Sequence, residues 1–321
     1  MSDNVSLTPQ EVADILKIAK NTVYELVKRG ELNSYRAGKK IRFDLKDVEE
    51  YKSRTSSMKE PAVYYRNVSD SALYNLSSGL SGEKSLTNSI VISGQDIMLD
   101  ILVRHYQSRY RELNALRSYD GSYNGLYNLY LGRIQVATTH LWDGDSNQYN
   151  INYVRRMLPG IPTLIIHLAC RMQGFYVAKG NPKGLKNWTD FRREDLVMVN
   201  REKGAGTRVL LDEHLRLLGI SPWTIKGYDN EVTSHLAVAG SVARGQADVG
   251  IGNEKSSLQV KDIDFIPLQK ERFEMVVKKE DSNKAWFEAL MGIIRSPEFK
   301  VELEVIGGYD LQELGHIVAE T

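Results

Sequence analysis

Four short stretches of this 321-residue chain place glycine or hydroxyl-bearing residues where a strand-like run gives way to a helix-like one. They are Ser93-Gly94, Gly121-Ser122, Gly204-Ala205-Gly206-Thr207 and Thr233-Ser234. A helix N-terminus exposes unpaired amides and a partial positive charge. Small residues let an anion approach those amides closely, and hydroxyls add donors without adding charge. Taken singly, each junction reads as an ordinary cap or turn. Taken together, two in each half of the region after residue 89, they read as a donor cage for one small oxyanion. The candidate ligand contacts are Ser93, Gly94, Ser122, Gly204, Ala205, Gly206, Thr207, Thr233 and Ser234. Arg208 either adds a bidentate charge or points to solvent.

The segments that must position these residues alternate between strand and helix. Ile90-Val91-Ile92 precedes a mostly apolar helix to about Tyr106, and Gly121-Ser122 opens a helix through Leu131. Ile134 to Ala137, Leu164-Ile165-Ile166, Phe175-Tyr176-Val177, Val197-Met198-Val199, Ala247 to Ile251 and Phe273 to Val277 read as strands. Further helices follow Thr207 and Thr233-Ser234, and two close the chain, the second opening at Ser296-Pro297. Such alternation predicts an α/β fold with largely parallel sheets. Open sheets of that kind bind ligands at the carboxyl ends of their strands, where the four junctions lie.

The first 54 residues read differently. Thr8-Pro9-Gln10-Glu11 carries a capping box and a first-turn proline. A second helix spans about Lys20 to Arg29 after a tight turn at Lys17-Ile18-Ala19, and Gly30 ends it. Leu32 to Phe43 reads as two short strands around a basic, glycine-containing turn, and Asp44 caps a last helix through Tyr51. Two helices and a hairpin in this order make a winged helix-turn-helix pattern. Residues 55–88 read as a connecting segment, polar at first and ending that part at Pro61.

Composition bounds the rest. Hydrophobic residues are 42% and charged residues 26%, so the chain is globular in type and neither disordered nor fibrous. No window approaches the roughly 18 apolar residues of a membrane span, and no secretory signal opens the chain, so a cytoplasmic location is expected. One cysteine, Cys170, excludes an internal disulfide and a cysteine zinc site. Net charge is +1, with a modest basic excess in the first 59 residues, which allows a nucleic-acid contact there without demonstrating it. GAGTR lacks the Lys-Ser/Thr ending of a nucleotide loop, and neither a Gly-x-Ser-x-Gly elbow nor a His-Glu-x-x-His motif occurs. The expectation is a binding protein, not an enzyme, with no metal or cofactor.

The stretch LTPQEVADILKIAKNTVYELVKRGEL and the following YRAGKKIRF resemble excisionase and MerR-like DNA-binding modules. That resemblance implies that Lys20, Asn21, Thr22, Tyr24 and Lys28 face operator DNA. It also implies that Arg36, Lys39, Lys40 and Arg42 meet phosphates. The rival reading is a solvated face on a protein-binding helical unit.

Residues 89–321 resemble periplasmic molybdate-binding proteins, as fused to DNA-binding modules in bacterial one-component regulators. The resemblance rests on SGQDIMLDIL, GSYNGLYNLYLGRIQVATTHLWD, YNINYVRRMLPG, QGFYVAKGNPKG, VNREKGAGTRVLLDEHL, TSHLAVAGSVARGQADVGIG and the closing GGYD. It implies a two-lobed periplasmic-binding-protein type II fold whose lobes close on an oxyanion, with molybdate or tungstate as ligand. It implies a transcriptional regulator, a homodimer or higher oligomer, acting on double-stranded operator DNA. By that resemblance His140 sits near the cleft but reads as structural, and Tyr149 and Asn150 read as lobe packing. Two alternatives stay open. One is another small anion or an organic metabolite, for which Arg208 and Arg201 would supply charge. The other is a phosphate-substrate enzyme on the same fold.

Overall fold

In this computed structural model, residues 6–16, 20–28, 32–38, 40–48, 51 and 89–321 are described. The chain divides into two units, Met1–Ser81 and Gly82–Thr321. The connecting segment expected at 55–88, the turn at Lys17 to Ala19 and the helix end at Gly30 lie outside the described residues.

The smaller unit is held by a small apolar core and one well-formed cap. Strand β1 (Ser6–Leu7) leads into helix α1 (Pro9–Leu16). The Thr8 amide donates to the Glu11 carboxylate at 2.7 Å, and the Glu11 amide donates to Thr8 Oγ1 at 3.3 Å. This reciprocal pairing satisfies two amides that the helix itself cannot. Helix α2 (Lys20–Lys28) follows, then β2 (Tyr35–Ala37) and β3 (Lys40–Asp44), with β3 central in the order β1-β3-β2. Val12, Val23, Leu26, Leu32, Phe43 and Val48 are buried together beneath the two helices.

The larger unit is built on one nine-stranded sheet. Its first part runs β4 (Ser89–Ser93), α3 (Ile97–Arg109), β5 (Asn114–Ser118), α4 (Ser122–Tyr130) and β6 (Val136–Thr139). A short hairpin, β7 (Trp142–Asp143) and β8 (Gln148–Tyr149), precedes α5 (Ile151–Met157) and the long β9 (Thr163–Ala178). The second part runs β10 (Met198–Arg201), α6 (Gly206–Leu218), β11 (Glu231–Val232), α7 (His235–Ala243), β12 (Val249–Asn253) and α8 (Glu254–Ser257). The chain returns through the long β13 (Ile263–Lys278) and ends with α9 (Ala285–Ile294), α10 (Pro297–Ile306) and β14 (Ile317–Glu320).

The order across the sheet is β11-β10-β12-β9-β13-β6-β4-β5, with β14 also on β9. The outer strands pair in parallel, β4 with β5 and β6, and β10 with β11 and β12. The middle is antiparallel, so the expectation of largely parallel pairing holds only on the two flanks. The runs read as separate strands at Leu164–Ile166 and Phe175–Val177 belong to one 16-residue strand. Arg171 and Gln173 interrupt its apolar pattern, and both are buried.

Two separate cores make two lobes. The first gathers Ile90, Ile92, Leu102, Leu168, Met275, Leu290 and Phe299. The second gathers Phe175, Met198, Leu211, Leu215, Val249 and Ile251. Each fully buried side chain of this type contributes about 1.5–3 kcal/mol. Strands β9 and β13 feed both cores. Leu164, Ile166 and Leu168 of β9 enter the first, and Phe175 and Val177 enter the second. Where these strands pass between lobes, Arg171 pairs in register with Glu271, and register shifts flank this stretch of β13.

Candidate functional site

The passage between the lobes is walled by polar side chains and helix starts. It encloses a cavity with about 20 Å³ open to water centres. A single water needs about 10–15 Å³ on that measure, so the space between the lobes in this arrangement is small. Gly94, Asp120, Ser122, Thr138 and His140 line it from the first lobe. Arg201, Ala205, Gly206, Thr207 and His235 line it from the second, and Arg171 and Phe273 come from the two long strands.

Four helices begin around this cavity, but not alike. Asp96 caps α3, accepting from the Met98 amide at 2.8 Å. Ser234 caps α7, accepting from the Ala237 amide at 3.1 Å. Helix α4 starts at Gly121 and α6 at Ala205, and neither has a side-chain cap. One uncapped helix start thus comes from each lobe. First-turn amides without a cap call for another acceptor. Their aligned peptide dipoles favour a negative one.

Glycine keeps these turns close. Gly94 has φ +148°, and a Cβ there would fall 1.9 Å from Thr138 Oγ1. A Cβ on Gly121 would lie 2.9 Å from the Gly204 carbonyl, and one on Gly206 would lie 2.5 Å from the His140 ring. The Tyr123 amide donates to the Gly204 carbonyl at 3.0 Å, and Arg201 donates to the Gln95 side chain at 2.7 Å. Both bonds join one lobe to the other.

A chain of charges closes the cavity's floor. Arg171 meets Asp96 and Glu271, each at 2.5 Å, and stacks on the Phe273 ring at 4.0 Å. Glu271 also meets His140 at 2.8 Å. Burial pushes the Glu271 carboxyl up, but Arg171 and His140 outweigh it and hold the group at about 2. Burial likewise opposes ionisation of Asp96, while Arg171 and the Tyr309 hydroxyl hold its carboxyl below the usual range. Three buried nitrogens of cavity-lining residues have no hydrogen-bond partner, His140 Nδ1, Arg171 Nε and His235 Nδ1, and of these only His140 Nδ1 faces a carboxylate, that of Glu271. Buried polar groups are nearly always paired, so the other two ask for a ligand or a water.

The residues singled out from sequence divide between cavity and scaffold. Gly94, Ser122, Ala205, Gly206 and Thr207 line the cavity. The Ser93 hydroxyl donates to Asp120 at 3.3 Å, behind the wall. Gly204 takes φ +91° and its carbonyl holds Tyr123. The Thr233 carbonyl receives Arg201 at 3.3 Å, and Ser234 serves as a cap. Arg208 is absorbed elsewhere: its guanidinium reaches Asp212 and Glu231 and stacks on Tyr228. Asn150 is fully buried and anchors Glu274 at 2.8 Å. Tyr149 accepts from Gln269 at 2.8 Å.

Arg171, Glu271, His235, Gln95, Thr138 and Asp120 were missed, and His140 lies in the wall itself. Their signal was weak. A charged residue inside a buried strand, such as Arg171 or Glu271, is the one cue the sequence offered.

In the smaller unit Lys20, Tyr24 and Lys40 are exposed, Thr22 and Arg42 half-buried. Arg42 donates to the Ile41 carbonyl at 3.1 Å. The side chains of Asn21, Lys28 and Arg36, and all of Lys39, lie outside the described residues.

Comparison with known proteins adds two family matches. Residues 103–295 match the PBP superfamily domain, and residues 6–56 match a helix-turn-helix domain. The Bacillus subtilis (strain 168) protein YvgK is 39% identical over the full length of both chains. Among solved structures, the effector-binding domain of a BenM variant is similar with a TM-score of 0.50 at 15% identity. That likeness covers 69% of this chain and 98% of the other. A mutant of ArgBP from T. maritima gives a TM-score of 0.50 at 13% identity, covering 70% and 96%. These likenesses concern the two-lobed fold.

Proposed function

The chain belongs to the PBP superfamily, with a helix-turn-helix domain ahead of that fold, and we propose that it is a regulator whose DNA binding responds to a small oxyanion held between the lobes. The observation that carries this reading is the meeting of two uncapped helix starts, one from each lobe, at a small enclosed cavity. Only the closed arrangement presents both sets of amides to one anion, so the anion favours closure by its differential affinity. Closure repositions the lobes and thereby biases the DNA-binding units of a dimer. No described helix is long and apolar enough to cross a membrane.

We take molybdate or tungstate as the ligand. Helix-start amides donate only, and the Ser122 hydroxyl, which accepts from the His140 amide at 3.3 Å, keeps its own proton to give, which suits a fully deprotonated dianion. One observation favours a second ligand. Asp120 lines the cavity, and a carboxylate there accepts from a protonated anion such as hydrogen phosphate. Duplexes selected from a random pool by the full chain test the regulatory role. Their affinity is expected to fall steeply with salt and to change when molybdate is added. Salt-insensitive binding, or none, would contradict it.

A further inference from the structure

The fixed charges around the cavity are already engaged with carboxylates, and of the lining arginines' nitrogens Arg171 Nε is left without a hydrogen-bond partner. Arg171 lies between Asp96 and Glu271, and Arg201 holds Glu202 at 2.7 Å. Asp120 accepts from Ser93 and Ser118. A dianion entering this cavity meets donors, yet both lining arginines are engaged with carboxylates.

His235 is placed differently. It opens α7, lines the cavity, is 9% exposed, and its Nδ1 has no hydrogen-bond partner. The charged groups facing it are Arg201 from β10, Arg171 from β9, His140 from the end of β6 and Glu271 from β13. We propose that His235 takes up one proton from solvent as the anion enters, and that the imidazolium so formed is the ligand's own charge partner. This rests on the oxyanion reading above.

The physical course is simple. Before binding, burial keeps the imidazole neutral, and Arg201, Arg171 and His140 reinforce it. Together these hold His235 well below the ordinary histidine range, and Glu271 opposes them. A bound dianion reverses the sign of the local field. In a dry cavity that attraction is poorly screened, so the protonated form becomes the favoured one. Linkage then fixes the sign of the pH dependence. A group whose affinity for protons rises on binding makes the ligand bind more tightly as pH falls. Between the free and bound titration points, affinity changes by up to about tenfold per pH unit.

Calorimetry on the full chain tests this, with molybdate and sulfate as probes at about pH 7 in two buffers of different ionisation enthalpy. The native chain is expected to take up about one proton per anion bound. His235→Gln is expected to bind at least about tenfold more weakly and without proton uptake. His140→Gln is expected to keep the uptake. Binding without uptake in the native chain, or uptake unchanged in His235→Gln, overturns the proposal while leaving the oxyanion reading intact. Absence of heat from either anion in both buffers brings down the oxyanion reading and this proposal with it. Should His235→Gln not fold, ¹⁵N imidazole spectra of the native chain decide. A His235 signal that stays neutral on saturation with molybdate overturns the proposal, and a shift to the imidazolium position supports it.

Discussion

The Tyr123 amide donates to the Gly204 carbonyl at 3.0 Å, tying the first turn of α4 to the loop that opens α6. This bond crosses from one lobe to the other, beside the two helix starts that lack side-chain caps. Gly121 brings no Cβ against the Gly204 carbonyl, and beside this bond Gly206 brings none against the His140 ring, which leaves a gap between the lobes.

Filling that gap is therefore expected to block closure without harming either lobe's core. Gly121→Val and Gly206→Val each place side-chain atoms against the opposite wall, on the Gly204 carbonyl and the His140 ring respectively. Molybdate affinity is expected to fall by at least about tenfold, or 1.4 kcal/mol. Thermal melting without ligand should move by only a few degrees, since both sites face the cleft and not a core.

Arg208 and Arg171 look alike in sequence and differ in consequence. Arg208 is buried against Asp212, Glu231 and Tyr228, away from the cavity. Arg208→Met is expected to cost about 1.5–3 kcal/mol of stability, the range for hydrogen bonds to charged groups. Its two carboxylate partners stay partly exposed and can hydrate, which limits the loss. Anion affinity should stay within about twofold if the variant folds. Arg171→Met strands two carboxylates that are almost fully buried, and about 3–5 kcal/mol is expected there. Urea unfolding and calorimetry separate the two outcomes.

His167 gives the larger unit a pH dependence of its own. Burial opposes its charge, but hydrogen bonds with Cys170 and Glu274 prevail and raise it to about 8. A raised histidine contributes stability that is full below its unfolded value near 6.5 and is lost as pH rises through 8. The shift corresponds to about 2 kcal/mol. Urea midpoints should fall between about pH 6.5 and 8.5 in the native chain and stay flatter in His167→Gln.

The DNA-facing assignment is checked through salt. Lys20 and Lys40 are exposed on α2 and β3. Lys40→Ala is expected to weaken binding to all duplexes alike and reduce the salt slope by about one. Lys20→Ala, if it reads bases, should alter preference among duplexes more than slope.

How much of this was legible in the sequence depends on range. The capping box at Thr8 and Glu11 is local, and local chemistry can be read from spacing alone. The same holds for the starts of α4, α6, α7 and α10, each marked by Gly, Ser, Thr or Pro. The floor of the cavity is not local. Arg171 and Glu271 lie one hundred residues apart and meet only because β9 and β13 pair in register. No spacing rule reaches across that distance. Strand β9 was read as two pieces because buried ion pairs there replace apolar residues. Arg208 drew attention by following Thr207, yet Asp212 four residues on already offered it a partner on the same helix face.

Titrating the full chain with molybdate, tungstate, sulfate and phosphate by calorimetry tests the central claim most directly. One metal oxyanion per chain is expected to bind, more tightly than sulfate, with binding weakened at least about tenfold in Gly206→Val. No heat from molybdate or tungstate, or equal binding by Gly206→Val, would contradict a site closed between the two lobes.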